Sequence, residues 1–450
     1  MPPEIATVVF AVVTVGLFAF DPITNARSSK ALWLPVIWVS LAGSRTVSQW
    51  LGFESAISSV DQTLEGNSLD RNILAGLIAA GIMVLLGRRR ELGAILRANT
   101  PILVFLSYGA LSILWSDYSI VALKRWMKAL GDLVMILIVL TDPDRTAAIK
   151  RFLARIGFLL IPASVLLIKY YPSLGSHYTR WVGKKYYTGV TLDKNMLGVI
   201  CLISGLGCVW RLIEAFRAQG TPPKKQPLIA QYVLLVMVLW LFVRANSMTS
   251  LASFVLASGV MLGTSFPIFA RKRAMVHLLV LSTVSFAFAT LFLGFGADLV
   301  ETMGRDSTLT GRTGLWSDLL RMNQQPLVGT GFESFWLGKR LEELWEIYWW
   351  RPNESHNGYL EVFLNLGWMG VSLLAIVILT GYRNVIRAFR LDPDTGGFRL
   401  AFFVTGTVYG LTEAAFRVLS PIWFIFLLGI MAIPESGQDA AQGKVVSIAQ

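Results

Sequence analysis

Apolar runs of roughly 15 to 23 residues recur along the whole 450-residue chain, separated by short basic loops. Segments of that length and character belong in hydrocarbon, where backbone polar groups have no water to bond. Only helices and closed barrels then satisfy them internally. A barrel strand alternates apolar and polar residues, and these runs do not alternate. Composition agrees: 54% of residues are hydrophobic and 15% charged, too little charge to cover a soluble surface. The sequence therefore predicts an all-α polytopic membrane protein with 12–13 transmembrane helices.

Candidate spans fall at roughly 5–20, 31–43, 72–87, 101–115, 126–140, 156–170, 195–210, 228–243, 249–270, 274–294, 358–381, 399–416 and 420–434. The first, beginning "MPPEIATVVFAVV", lacks a basic leader and is read as a retained span; without it the count is twelve. Lys/Arg clusters at 87–97, 142–155, 211–225, 271–273 and 383–399 all fall on one side under strict alternation, which the positive-inside rule makes cytoplasmic. Residues 1–434 form the membrane domain, with one large outer loop at 295–357. The polar tail 435–450 is read as disordered and cytoplasmic. Within the loop, 314–323 and 338–350 look helical. The second ends in Trp345, Tyr348, Trp349 and Trp350 and suits the membrane interface.

The net charge of +12 sits beside spans, so it serves orientation and lipid contact and implies no nucleic acid. Cys201 and Cys208 share one span about 10.5 Å apart, too far for a disulfide. No zinc or calcium spacing, P-loop or dinucleotide fingerprint is present, so no metal or cofactor is expected. Asp142-Pro143-Asp144 and Asp392-Pro393-Asp394 sit at helix starts and read as structural turns. Within the spans, Lys128 with Asp132 and Glu413 with Arg417 have the spacing of helical pairs.

Cations on the outer side run against the insertion rule. Arg180, Lys184, Lys185 and Lys194 crowd one outer loop; Arg312, among others, lies in the large loop; Arg244 occupies a tight turn. An anionic ligand, phosphate above all, gives them a purpose. Pairing with loop acids or lipid phosphates is the alternative. His356 precedes Asn357 at the start of a span, where free backbone N–H groups favour anions. A neutral imidazole there can take a proton from a hydroxyl. Glu361, four residues past Asn357, lies just inside the membrane boundary, where a carboxylate needs a partner or a task. Plain helix capping by His356 and Asn357 is the competing reading.

Five stretches then follow in order: "TGVTLDKNMLG" (188–198), "NSMTSLASF" (246–254), "LTGRTGLW" (309–316), "PLVGTGFESFW" (326–336) and "SHNGYLEVFLNLGWMG" (355–370), with a fainter upstream stretch, "SRTVSQWLG" (44–52). Together they resemble the O-antigen ligase / polysaccharide polymerase superfamily of bacterial inner-membrane proteins, in particular exopolysaccharide polymerases of the succinoglycan type. The resemblance implies an inverting, metal-independent glycosyltransferase with a C-type membrane fold. Its donor would be an undecaprenyl-diphosphate-linked oligosaccharide on the periplasmic face, and its acceptor a growing polysaccharide. Membrane lipids and other polysaccharide export proteins are the further partners expected. His356 maps onto the family histidine that activates the acceptor, and Arg312 onto a family arginine. A second family arginine, usually in a Ser-Arg or Ser-Lys pair, is replaced here by Ser247-Met248, with Arg244 just upstream. The expected catalytic set is His356, Arg312 and Glu361. The diphosphate or substrate set is Arg244, Lys194, Asn195, Arg180, Lys184, Lys185, Asn357 and Tyr359. Trp316, Phe332, Trp336 and Tyr359 are candidates for stacking on sugars. Transfer to a lipid A core, as by an O-antigen ligase, is the alternative; a flippase of the same lipid-linked glycan is the second.

Overall fold

A computed structural model describes residues 1–21, 29–53, 66–178, 183, 185–217, 225–293 and 312–434. The described chain is almost wholly helical, as the apolar runs require. In order the main helices are α1 (Pro3–Ala19), α2 (Trp33–Ala42), α3 (Ser68–Leu86), α4 (Arg89–Ala98), α5 (Thr100–Leu111), α6 (Ser119–Leu140) and α7 (Arg145–Tyr170). A two-stranded hairpin follows, β1 (Ser176–Tyr178) antiparallel to β2 (Lys185–Tyr187). Then come α8 (Lys194–Arg217), α9 (Lys225–Ala245), α10 (Met248–Thr264), α11 (Arg273–Phe292), α12 (Arg312–Met322), α13 (Gly338–Ile347), α14 (Gly358–Leu391), α15 (Pro393–Tyr409) and α16 (Pro421–Ile430).

Each of the thirteen expected spans contains a helix, and the helices differ in length. Among the described residues six helices are long and apolar enough to cross: α3, α7, α8, α9, α11 and α14. A seventh crossing is possible if α4 and α5 count as one span bent by 84°. Asn99 and Pro101 make that bend: proline cannot donate into the preceding turn, and Asn99 turns its side chain to Ile95 O (2.8 Å) and Ala432 O (2.9 Å). Four further apolar helices have 10 to 17 residues. Seventeen residues rise about 25 Å, short of a 30 Å hydrocarbon core. The helix α6 is long enough but carries Lys124, Arg125, Lys128 and Asp132.

One large core unites the bundle. It is built where α8 packs on α9, α7 and α10, and where α15 packs on α10, α14 and α16. A satellite core of Leu315, Leu319, Phe335, Trp336, Leu341, Leu344 and Leu364 joins α12 and α13 to the start of α14. Residues 312–357 are thus folded onto the bundle.

The feature that positions the site is a break in α14. Gly367 has φ +64°, and a Cβ there would lie 2.3 Å from the carbonyl carbon of Leu327. Only glycine fits. The segment 325–331 crosses this break and satisfies the helix groups it frees. Trp368 N donates to Pro326 O (2.9 Å) and Met369 N to Leu327 O (3.1 Å), while Thr330 N and Gly331 N donate to Leu364 O and Asn365 O. Non-helical backbone within an apolar helix is stable only when something else satisfies it in this way. The break leaves 358–366 as a short half-helix whose N-terminus faces the large loop.

Candidate active site

The site is assembled from three connecting segments, each pinned to the half-helix of α14 or its neighbours. The first is 351–357, which precedes α14. Ser355 N donates to Glu361 Oε2 (3.0 Å), and Trp316 Nε1 in α12 donates to Ser355 O (2.8 Å). The second is 410–420, between α15 and α16. Gly358 N bonds Gly410 O (2.8 Å), and Asn357 Nδ2 bonds Leu411 O (3.3 Å). The third is 330–337, whose Phe335 N donates to Asn365 Oδ1 (3.0 Å).

His356 stands where the first two segments meet. Its Nδ1 lies 3.1 Å from Glu354 Oε1 and 3.1 Å from Glu413 Oε2. Arg312 donates to Thr412 O (2.7 Å) and approaches the other oxygen of Glu413 at 3.4 Å. Arg417 donates to Glu354 Oε2 (3.2 Å) and lies 3.6 Å from Glu333 Oε2. The result is an alternating chain, Arg312–Glu413–His356–Glu354–Arg417–Glu333. Burial by itself lowers the basicity of His356, but the two carboxylates on Nδ1 outweigh it and raise the imidazole to about 9. His356 and Arg417 outweigh burial at Glu354 and hold its carboxyl below the usual range.

The backbone is strained to make this arrangement. Glu333, His356 and Leu419 all have positive φ, at 52°, 52° and 59°. Each is tied down. Arg125 in α6 binds Glu333 O, and Glu333 Oε1 accepts Val418 N (3.1 Å). Asp132, also in α6, accepts Leu419 N (3.1 Å) and Trp38 Nε1 (2.7 Å). The charged helix α6 therefore braces the site from behind. This corrects two expected pairs. Asp132 bonds Trp38 and Leu419, with no ion pair to Lys128. Glu413 and Arg417 do not bridge, because α15 ends at Tyr409 and the segment beyond turns them to different partners.

The predicted site residues divide. His356 and Arg312 meet through Glu413. Glu361 is buried, with Oε1 accepting from Trp336 Nε1 (2.5 Å) and Oε2 from Ser355 N (3.0 Å), so both oxygens brace the loop. Asn357 caps α14, accepting Tyr359 N and Leu360 N at 3.0 Å each, and Tyr359 Oη donates to Thr407 O (3.1 Å). These two are structural, as is Trp336. Arg244 stacks on Tyr187 (5.5 Å) and Trp240 (5.2 Å), in a patch with Lys169 and Lys185. Lys194 and Asn195 begin α8, where Asp193 Oδ1 accepts Asn195 N (2.8 Å). Arg180 and Lys184, like 294–311 and the tail from 435, lie outside the described residues. Asp144 and Asp392 cap α7 and α15, so both Asp-Pro-Asp triplets start helices.

Sequence reasoning missed Glu354, Glu413 and Glu333 as members of the site. Glu413 and Arg417 were visible as charges in an apolar context, but helical spacing pointed them at each other. The ligand atoms of Glu354, His356 and Glu413 all lie within 4.8 Å of one another, a grouping with the donors of a cation site that spacing had not suggested. A divalent ion fits it poorly: Nδ1 already shares a proton with both carboxylates, and Arg312 and Arg417 take the remaining oxygens. A cavity of about 30 Å³ lined by Glu333, Glu361 and Asn365 has room for a water, not a sugar.

Fold and site together define an all-α, multi-pass membrane protein with a histidine–carboxylate–arginine centre on loops at one end of its bundle. Residues 226–392 match the O-antigen ligase family. The exopolysaccharide production protein ExoQ of Rhizobium meliloti is 26% identical over 358 residues, covering 75% of this chain and 78% of that protein. The domain match and this relative support the O-antigen ligase / polysaccharide polymerase superfamily that the motifs resemble, and with it a polymerase- or ligase-type membrane role.

Proposed function

We propose that the protein transfers a glycan from undecaprenyl diphosphate to a hydroxyl of a growing polysaccharide, on the periplasmic face of a bacterial inner membrane and with inversion. The observation that carries this reading is His356, held through Nδ1 between Glu354 and Glu413. With Nδ1 fixed as the donor, Nε2 is the nitrogen left to accept a proton from the acceptor hydroxyl. The two carboxylates orient the ring and stabilise the imidazolium formed. The raised basicity has a consequence: near neutrality the resting imidazole is mostly protonated, so the competent base is the minor, stronger form.

The bond broken joins the sugar's anomeric carbon to the diphosphate oxygen. The acceptor oxygen attacks from the opposite face, and diphosphate leaves with the electron pair. Charge develops on phosphate oxygens, and a guanidinium aimed there stabilises it. Arg312, half-buried beside Glu413, is the nearest candidate in the His356 chain; Arg244 and its neighbouring lysines suit the headgroup or surrounding lipid phosphates. The reading needs no metal. A polymerase is preferred to a ligase because the curated relative is an exopolysaccharide production protein.

Purified protein in lipid discs, given lipid-diphosphate glycan and acceptor, tests this. His356→Ala is expected to lower turnover by about 10²–10⁴-fold, Arg312→Ala to lower it comparably, and EDTA to leave it unchanged. Full activity in both variants would remove the site; loss with EDTA would remove the metal-free mechanism.

A further inference from the structure

Beside His356 lies an aromatic surface to which the catalytic reading gives no task. The indole of Trp350 is 6.2 Å from the imidazole, centroid to centroid, with the planes 31° apart. Tyr348 supports it edge-on at 5.7 Å, and Tyr348 is itself fixed by a 2.8 Å bond from its hydroxyl to Asp318 in α12. Trp345, one turn earlier, donates to Pro352 O (2.9 Å) and carries the Arg351 guanidinium over its ring at 5.2 Å. Trp350 remains 38% exposed although its loop is held at both ends. From sequence these aromatics read as a membrane-interface anchor. Their position changes the reading for Trp350, because an anchor has no reason to border the proton-accepting ring.

We infer that Trp350 is the floor of an acceptor subsite, a platform for one pyranose ring of the incoming glycan. The inference rests on the assignment of His356 as base. A hydroxyl deprotonated by His356 must come within about 3 Å of Nε2. The ring bearing it, or the next one along, then falls over the neighbouring indole. A sugar presents C–H groups on one face and hydroxyls at its rim. The apolar, electron-rich face of an indole receives the first, while the exposed rim leaves the second in water. A rigid aromatic with few rotamers binds at low entropic cost, which suits a loop positioning a flexible polymer.

The test uses the full-length protein in lipid discs and, as probe, undecaprenyl-diphosphate-linked glycan extracted from cells lacking the protein, with the chain-extended form as second substrate. Trp350→Ala is expected to raise KM for the acceptor about tenfold, with KM for the donor unchanged, and Trp350→Tyr to recover most of the loss. An unchanged acceptor KM in Trp350→Ala, or equal rises for both substrates, would overturn the platform. Should wild type show no transfer, the catalytic reading fails separately, and Trp350 is then judged by fluorescence. Quenching by brominated lipid without response to glycan marks an interface anchor and overturns the inference. A glycan response lost in Trp350→Ala upholds it.

Discussion

Nδ1 of His356 is shared by two carboxylates, and that single contact sets the chemistry expected of the residue. A base raised to about 9 is largely protonated at pH 7 and gains its active form as pH rises. Turnover of the purified protein should therefore climb through neutrality, reach half its limit near pH 9 and level off above that, provided chemistry limits the rate. Removing one carboxylate charge with Glu413→Gln lowers the imidazole's affinity for its proton. The pH–rate profile should then move to lower pH, and its plateau should fall because a weaker base remains. A profile identical to wild type would mean that Glu413 does not act on His356. Arg417 belongs to the same scale: it faces Glu354 and Glu333 together, so its loss strands buried acids and is a fold defect before it is a catalytic one.

At the scale of elements, the break in α14 decides where the site is. Gly367 admits the 325–331 segment to the helix flank, and that segment carries Glu333 to Arg417 and Phe335 to Asn365. Gly367→Ala places a Cβ against the Leu327 carbonyl at positive φ, which costs at least about 1–2 kcal/mol before the clash is counted. The variant should melt lower in detergent, and its turnover should fall although residue 367 touches no substrate. Unchanged melting would show that the segment does not depend on close approach there. The helix α6 has a comparable role. Its Arg125 and Asp132 bond the strained turns at Glu333 and Leu419, which explains why an apolar helix carries so many charges.

At the scale of the whole molecule, long and short apolar helices among the described residues make one packed bundle, in which the short α16 is buried throughout while the long α3 and α11 lie mostly exposed. The orientation we propose comes from loop charge alone: the Lys/Arg clusters at 87–97, 142–155 and 383–399 would oppose the site if each of the thirteen apolar segments crossed, the short ones included. A cysteine at an exposed position such as Leu320 or Ile347, in a Cys201→Ala/Cys208→Ala background, should label with an impermeant maleimide in intact spheroplasts. A cysteine at Leu391 should label only after permeabilisation. The reverse pattern would put the candidate site in the cytoplasm and end the proposal of a periplasmic transferase.

Length and hydrophobicity act locally, so the sequence by itself determined that this chain is helical, lies in a membrane and is polar at the 312–357 loop. Ordered motifs singled out Arg312 and His356, which the fold brings to the same carboxylate, Glu413. What Glu361, Asn357, Glu413 and Arg417 do was decided only by tertiary structure. A carboxylate's role depends on which donors surround it, and here those donors come from Trp336, Ser355, Arg312 and His356 on separate segments. Helical spacing paired Glu413 with Arg417 because periodicity assumes the helix continues; the fold ends it at Tyr409 and turns each charge to a partner distant in sequence.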